Sequence, residues 1–130
     1  MPISFTVSDV IPAKPSDIYD AWLSSDGHTA MTGGTAHANS EPGGLFDAWD
    51  GYIAGSNLIL EPGVRIVQSW RTTVFKDTEP DSQIEVTLTP EGEATRIALA
   101  HTNVPDGGEH YQSGWQTHYF DPMKSYFSSA

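Results

Sequence analysis

The sequence predicts an α+β fold in which a curved, six-stranded antiparallel sheet wraps around a long C-terminal helix, with short helices after the first strand. Two observations carry this prediction. Three apolar stretches between positions 43 and 71 are separated by Asp50-Gly51 and Pro62-Gly63, pairs that are typical of tight turns. After position 110 the apolar residues change from a period of two to the spacing of a helix. An antiparallel sheet buries one face, and the last helix is the element best able to cover it.

The amino-acid composition excludes several classes of partner and chemistry. The 130 residues carry a formal net charge of −11 with only six lysines and arginines, so anionic partners such as nucleic acid or a membrane surface are not expected. There is no cysteine, which excludes disulfides and thiol chemistry. No apolar run reaches the ~20 residues of a membrane helix, and no secretory leader is evident. We therefore expect one domain over residues 1–130, in the cytoplasm, as a monomer or homodimer.

The first 34 residues predict one strand and two short helices. Ile3, Phe5 and Val7 alternate with polar residues, which indicates a half-buried strand. Pro15 suits a first helical turn, and the apolar spacing that follows predicts a helix to about Leu23. A second, weaker helix is predicted from Ser24 until just before the Gly33-Gly34 pair, and 35–44 is predicted to be a loop.

Three strands are predicted next, over 45–49, 52–60 and 64–70. Asp50-Gly51 predicts a two-residue hairpin turn. At the following turn the sequence leaves two alternatives open. A two-residue turn puts Ile53 and Ile59 on the inner face, whereas an added bulge puts Leu58 and Leu60 there.

Two further strands are predicted over 83–88 and 96–101, with a turn at Pro90-Glu91-Gly92. A loop over 104–108 leads into the last helix. One side of that helix carries large side chains, namely Tyr111, Trp115, Tyr119, Met123 and Tyr126. Pro122 interrupts the helix and predicts a kink, because its ring collides with the carbonyl of His118.

A sheet that curls around a helix seldom fills evenly, so we expect an apolar pocket between them. The predicted roof is Trp115, Tyr119 and Met123, and the predicted floor is Trp70, Ile97, Leu99 and His101. The predicted ligand-binding residues are Phe46, Trp70, Leu99, His101, Trp115, Tyr119 and Met123. Asn57 and Gln68 are polar positions near the same face and could supply hydrogen bonds to a ligand.

The candidate catalytic and metal-ligating residues are few. His101 falls on the inner face, where it is either a hydrogen-bonded core histidine or a proton donor and acceptor at the pocket floor. His110 and His118 are eight residues apart and have no cysteine to support them, which does not fit a zinc site. The serines and threonines do not lie in a nucleophile-elbow sequence, so the sequence does not support covalent catalysis. We therefore assign no catalytic residue, no metal and no cofactor.

The stretch GGLFDAWDGYIAGSNLILEPGVRIVQSWR, the later strand TRIALAH and the helix GWQTHYFDPMKSYF occur in the order found in a known superfamily. From Ile3 to Phe127 the chain resembles the START-like proteins of the SRPBCC superfamily, and most closely the group named for the activator of the heat-shock protein 90 ATPase. The resemblance implies the helix-grip fold, in which a sheet grips a C-terminal helix around a hydrophobic cavity. Members of the superfamily bind lipids or hormones, cyclise polyketides, sequester antibiotics or assist a chaperone.

These considerations give three functional hypotheses. The leading one is non-enzymatic binding of a small hydrophobic molecule in the cavity between sheet and helix. An alternative, implied by the resemblance, is activation of a chaperone ATPase, which makes a chaperone a second expected partner. A further alternative is a cofactor-free cyclase or hydrolase that uses His101 together with Tyr119.

Overall fold

The computed structural model describes residues 3–128, and its strands and helices follow one another in the predicted order. The strands are β1 (Ile3–Ile11), β2 (Leu45–Ala48), β3 (Ile53–Glu61), β4 (Arg65–Thr72), β5 (Ser82–Glu91) and β6 (Ala94–Val104). The helices are α1 (Pro15–Trp22), α2 (Ser25–Thr32), α3 (His110–Trp115) and α4 (Asp121–Ser128), with a π-helical turn (Gln116–Phe120) between the last two. The predicted α+β fold is confirmed.

The six strands form one antiparallel sheet in the order β1-β6-β5-β4-β3-β2. From β2 to β6 each strand pairs with its successor, whereas β1 pairs with β6 at the far edge. The helices α1 and α2 make the connection between the two edge strands. Within residues 3–128, no helix is both long and apolar enough to cross a membrane.

The hairpin between β2 and β3 is wider than the predicted two-residue turn. Its last ladder pair is Ala48 with Ile53, so the loop comprises 49–52. Asp50 and Gly51 do form its tip, with φ values of 58° and 86°. Trp49 leaves the ladder because it too has a left-handed φ, of 54°. The hairpin therefore ends in a broad tip that carries two aromatic side chains, those of Trp49 and Tyr52.

The structure matches neither of the two predicted arrangements at the Pro62-Gly63 turn. The turn contains three residues, since Glu61 pairs with Arg65, and a bulge interrupts the register between Asn57 and Ile59. Because the bulge shifts the alternation within β3 itself, Ile53 and Leu60 share the inner face. Leu58 and Ile59 are 47% and 42% exposed.

The last helical segment crosses the inner face of the sheet and closes the core. Tyr111, Trp115, Tyr119 and Met123 are buried as predicted, but Tyr126 is 43% exposed, so its placement on the buried side is wrong. The π-helical turn contains one residue more than an α-turn, and it therefore brings a further side chain, Phe120, fully into the core.

The predicted break at Pro122 takes the form of that π-helical turn. The backbone N–H of Asp121 donates to the carbonyl of Gln116, five residues back, which widens the helix just before the proline. A wider turn gives the ring of Pro122 room beside the preceding carbonyls, which an α-helix does not.

The outer face of the sheet is polar and carries ion pairs. Arg71 bonds to Asp81 at 2.7 Å, and Arg96 bonds to Glu91 at 2.9 Å. At the edge of the sheet, Lys124 of α4 meets Asp9 of β1 at 2.9 Å. Exposed ion pairs contribute little to stability, so the helix is held mainly by its buried face.

Candidate functional site

A pocket of about 370 Å³ opens between the first half of the last helical segment and the tip of the β2–β3 hairpin. Its lining is dominated by aromatic rings. The lining residues are Trp49, Tyr52, Ile53, Trp70, His110, Tyr111, Ser113, Gly114, Trp115, Thr117, His118 and Tyr119. The mouth of the pocket is formed by exposed polar side chains of the helix, while its inner wall is buried. This volume suits a small ligand, since ligand pockets usually start at ~300 Å³.

The inner wall consists of three rings that meet at steep angles. Trp70 of β4 lies with its ring centroid 5.1 Å from Tyr111 at 81°, and 5.5 Å from Trp115 at 46°. The hydroxyl of Tyr111 is bonded to Thr72 Oγ1 at 2.7 Å, which fixes its ring. Burial, more than any other effect, raises the pKa of Tyr111 to about 12, so this hydroxyl stays protonated at neutral pH. The wall is thus rigid and uncharged.

Trp49 forms the opposite side of the pocket. Its indole meets the ring of His118 edge-on, with 5.6 Å between centroids. Behind the indole lies Gly34, where a Cβ atom would come within 2.3 Å of Trp49 Cε3. Any side chain at position 34 would therefore displace Trp49. The absence of a side chain at Gly34 therefore makes room for this side of the pocket wall.

The hydroxyl of Tyr119 begins a chain of buried hydrogen bonds that runs into α2. That hydroxyl lies 2.8 Å from His28 Nε2, while His28 Nδ1 lies 2.9 Å from the carbonyl oxygen of Trp22. Because a carbonyl only accepts, Nδ1 carries the proton and Tyr119 donates to Nε2. Burial lowers the pKa of His28 and raises that of Tyr119, so both stay neutral.

His101 lies in the core with both ring nitrogens bonded to protein groups. Trp115 Nε1 donates to Nδ1 at 3.1 Å, and Nε2 lies 2.8 Å from Ser82 Oγ, which itself donates to the carbonyl of Trp70. Burial lowers the pKa of His101 to about 4. With both nitrogens occupied, the imidazole offers no lone pair or proton to the pocket. The geometry therefore does not support the cyclase or hydrolase hypothesis, which needs this group.

The seven predicted ligand-binding residues fall into two sets. Trp70, Trp115 and Tyr119 line the pocket. Leu99, His101 and Met123 are fully buried in the core, and Phe46 packs against Gly55 of β3 instead of lining the pocket. The predicted roof at Met123 and floor at Ile97 and Leu99 do not enclose a space, because the side chains beneath the helix fill it. The opening lies nearer the start of α3.

Asn57 and Gln68 are hydrogen-bonded to the protein itself. Gln68 Nε2 donates to Asn57 Oδ1 at 2.8 Å, and Gln68 Oε1 accepts from the indole of Trp22. Asn57 Nδ2 donates to the carbonyls of Asn39 and Glu41. These two side chains anchor the 39–41 loop to the sheet, and neither lines the pocket.

Sequence reasoning missed Trp49, Tyr52, His110 and His118. The first two flank the Asp50-Gly51 tip, and a turn signal shows where a hairpin ends but not which element the tip touches. The histidines lie on the exposed side of the last helix. No sequence pattern distinguishes residues at the mouth of a pocket from other exposed residues of a helix. In the described part of the chain, no three His, Asp or Glu side chains come together as a metal site.

Comparisons of the sequence place it beside one family. The family described as "Activator of Hsp90 ATPase homolog 1-like protein" matches residues 12–128. The activator of 90 kDa heat shock protein ATPase homolog from Dictyostelium discoideum is 32% identical over 117 residues, which is 88% of this chain and 30% of that protein. The human activator homolog 1 is 28% identical over 126 residues, 94% of this chain and 36% of that protein. The chain thus spans about a third of the length of these relatives.

A solved structure shows the same fold over its full length. An HSP90 activator from Plasmodium falciparum superposes with a TM-score of 0.87 at 19% identity, covering 97% of this chain and 96% of that one. At this identity the likeness bears on the fold alone. It confirms the helix-grip architecture that the sequence resemblance implies.

Proposed function

The chain belongs to the family of activator of Hsp90 ATPase homolog 1-like proteins, and on that premise we propose that it binds a small hydrophobic molecule in the aromatic pocket. The observation that carries this proposal is the opening of about 370 Å³ walled by Trp49, Trp70, Tyr111 and Trp115. Aromatic side chains supply most of the binding free energy of such pockets, because each buries a large apolar area.

Binding without chemistry is the activity that fits the charges of this site. Among the lining residues there is no carboxylate, lysine or arginine. The two buried tyrosines of the wall, Tyr111 and Tyr119, have raised pKa values, and their hydroxyls are hydrogen-bonded to other protein groups. General acid–base catalysis needs an oriented group that exchanges a proton, and these hydroxyls do not offer one. The two histidines of the lining, His110 and His118, lie exposed at the mouth, and no carboxylate of the lining is there to orient them.

Gly114 offers a test that leaves the fold intact. It lies in the pocket wall, and a Cβ built on it meets only His118 Cδ2, at 3.9 Å. Gly114→Leu should therefore project a side chain into the pocket, whereas Gly114→Ala adds one methyl group and serves as the matched control. We expect a panel of small aromatic and acyl compounds to raise the melting temperature of the wild type and of Gly114→Ala. The same compounds should fail to raise that of Gly114→Leu. Equal shifts in all three proteins, or no shift with any compound, would overturn the proposal.

Activation of a chaperone ATPase is the second candidate. It is favoured by one observation, the relationship to proteins named as activators of the 90 kDa heat shock protein ATPase, one of them 32% identical. The match covers 30% of that relative, so the activity of the whole relative does not follow for this chain.

The second candidate has a direct test. The protein is added to a purified 90 kDa heat shock protein, and ATP turnover is measured with and without a specific inhibitor of that chaperone. An inhibitor-sensitive increase in turnover supports activation, and an unchanged rate at saturating protein removes it. Running Gly114→Leu in the same assay shows whether the pocket contributes to activation.

A further inference from the structure

The inner wall of the pocket exposes ring faces, and its polar groups are bonded to the protein. Tyr111 and Tyr119 use their hydroxyls on Thr72 and His28, and Trp115 uses its indole N–H on His101. The other polar side chains of the lining, those of His110, Ser113, Thr117 and His118, lie at the mouth. The inner wall therefore offers an occupant mainly the π surface of its rings, which carries partial negative charge.

The rings also surround the space from several directions. Trp70 stands at 81° to Tyr111 and at 46° to Trp115, so these three do not form a parallel stack. Trp49 and Tyr52 approach from the hairpin on the other side. Rings set at steep angles around one space form an aromatic cage, the arrangement that proteins use for quaternary ammonium groups.

The charges of the protein favour a cationic occupant. The net charge is −11, and no lysine or arginine lines the pocket. Four of the six basic side chains are engaged in ion pairs, namely Arg65, Arg71, Arg96 and Lys124. The field around the site therefore attracts cations and repels anions.

The aromatic cluster behind the pocket already holds one cation. The guanidinium carbon of Arg71 lies 5.3 Å from the ring centroid of Phe75. Phe75 is itself a neighbour of Trp70 and Tyr111, with 6.2 Å between ring centroids in each case. A cation on the pocket side would meet the same cluster from its open face.

We propose that the preferred occupant of the pocket is a small organic cation, such as a trialkylammonium group attached to an apolar body. This inference rests on the proposed function, since it names the chemical class bound at the same site. An anionic molecule of the same size would meet ring faces and an acidic field, and we expect it to be excluded.

A matched pair of probes separates the charge from the shape. The 3-hydroxyphenyl-trimethylammonium ion and 3-tert-butylphenol have nearly the same shape, and they differ in having a cationic nitrogen or a neutral carbon at the branch point. Each is titrated into the full chain by calorimetry. We expect the cation to bind at least about fivefold more tightly, the order of one good cation–π contact. Equal affinities, or tighter binding of the neutral phenol, would overturn this inference while leaving the proposed function standing. Binding of neither at about 1 mM would count against both.

Two controls show whether the preference for the cation over the neutral phenol comes from the rings of the pocket. In about 1 M sodium chloride, where the Debye length is about 3 Å, a preference due to the rings persists and one due to net charge alone disappears. Tyr52→Leu removes a ring from the rim, where Tyr52 is 37% exposed, and should reduce the preference. Tyr126→Leu makes the same change at a residue 43% exposed and outside the pocket, and it should not. A preference that is lost in salt, or equal in the two variants, would contradict the cage.

Discussion

The hydroxyl of Tyr119 lies 2.8 Å from Nε2 of His28, and this contact joins the last helical segment to α2. The ring of Tyr119 lines the pocket, so this buried oxygen ties the π-helical turn at the pocket wall to a short N-terminal helix. The site depends on elements that are far apart in sequence.

The first prediction concerns this hydroxyl. Tyr119→Phe leaves the ring in place but deprives His28 Nε2 of its partner. Because a buried group without a partner costs ~1–3 kcal/mol, we expect the free energy of unfolding to fall by that amount. Urea denaturation measures this change. An unchanged free energy of unfolding would show that the network contributes little.

The second prediction concerns pH. Burial lowers the pKa of His101 to about 4 and also lowers that of His28. Below the ordinary histidine pKa of about 6.5 the unfolded chain takes up these protons and the folded chain does not. The free energy of unfolding should therefore fall from about pH 6.5 towards about pH 4, by up to ~3 kcal/mol for His101 alone.

Denaturation across this pH range tests the sign and the assignment. His101→Gln should lower stability overall, but it should also make the decline with acid shallower, because position 101 no longer titrates. A variant whose decline is as steep as that of the wild type would contradict the buried, neutral state of His101.

The third prediction compares two glycines. Gly114→Ala should raise stability by ~0.5–1 kcal/mol, because glycine within a helix is costly and the new methyl group meets only ordinary contacts. Gly55→Ala should destabilise by ~3 kcal/mol or prevent folding, because its Cβ would lie 1.8 Å from the carbonyl oxygen of Ser69. Thermal and chemical denaturation of the two variants should move in opposite directions. A Gly55→Ala variant as stable as the wild type would contradict the close approach of β3 to β4, and a destabilised Gly114→Ala would contradict the open space at position 114.

The fourth prediction concerns the space behind Trp49. Gly34→Ala places a methyl group where the indole lies, so Trp49 has to shift within the pocket wall. We expect destabilisation of ~1–3 kcal/mol and weaker binding of 3-tert-butylphenol. Gly33→Ala is a poor control because Gly33 has a φ of 86°, whereas Ala30→Gly on the exposed side of α2 is a better one. Unchanged binding in Gly34→Ala would remove Trp49 from the site.

The sequence predicts the fold well because its strongest signals are local. The alternation in β5 and β6 and the helical spacing from Tyr111 to Met123 each follow from which side chains face the core. The inner face of β3 could not be predicted, because the bulge next to Asn57 reverses the alternation within the strand.

The sequence places the pocket between the sheet and the last helix, whereas the opening in the structure lies nearer the start of α3 than the residues named for it. Leu99 and Met123 are fully buried, so the space expected above them is filled by close packing. The opening depends on where the tip of the β2–β3 hairpin lies relative to α3, and this is a tertiary relationship without a local pattern. Trp70 and Trp115 were found because they face both the core and the opening.

The central claim is that the aromatic pocket binds a small hydrophobic molecule, and the indole N–H signals of the four tryptophans test it most directly. Trp49, Trp70 and Trp115 line the pocket, whereas Trp22 does not, so the chain contains its own reference signal. On addition of 3-tert-butylphenol to about 1 mM, the account predicts saturable shifts of the three lining indoles and a smaller shift of Trp22. Four unmoved signals, or four that move equally, would contradict it.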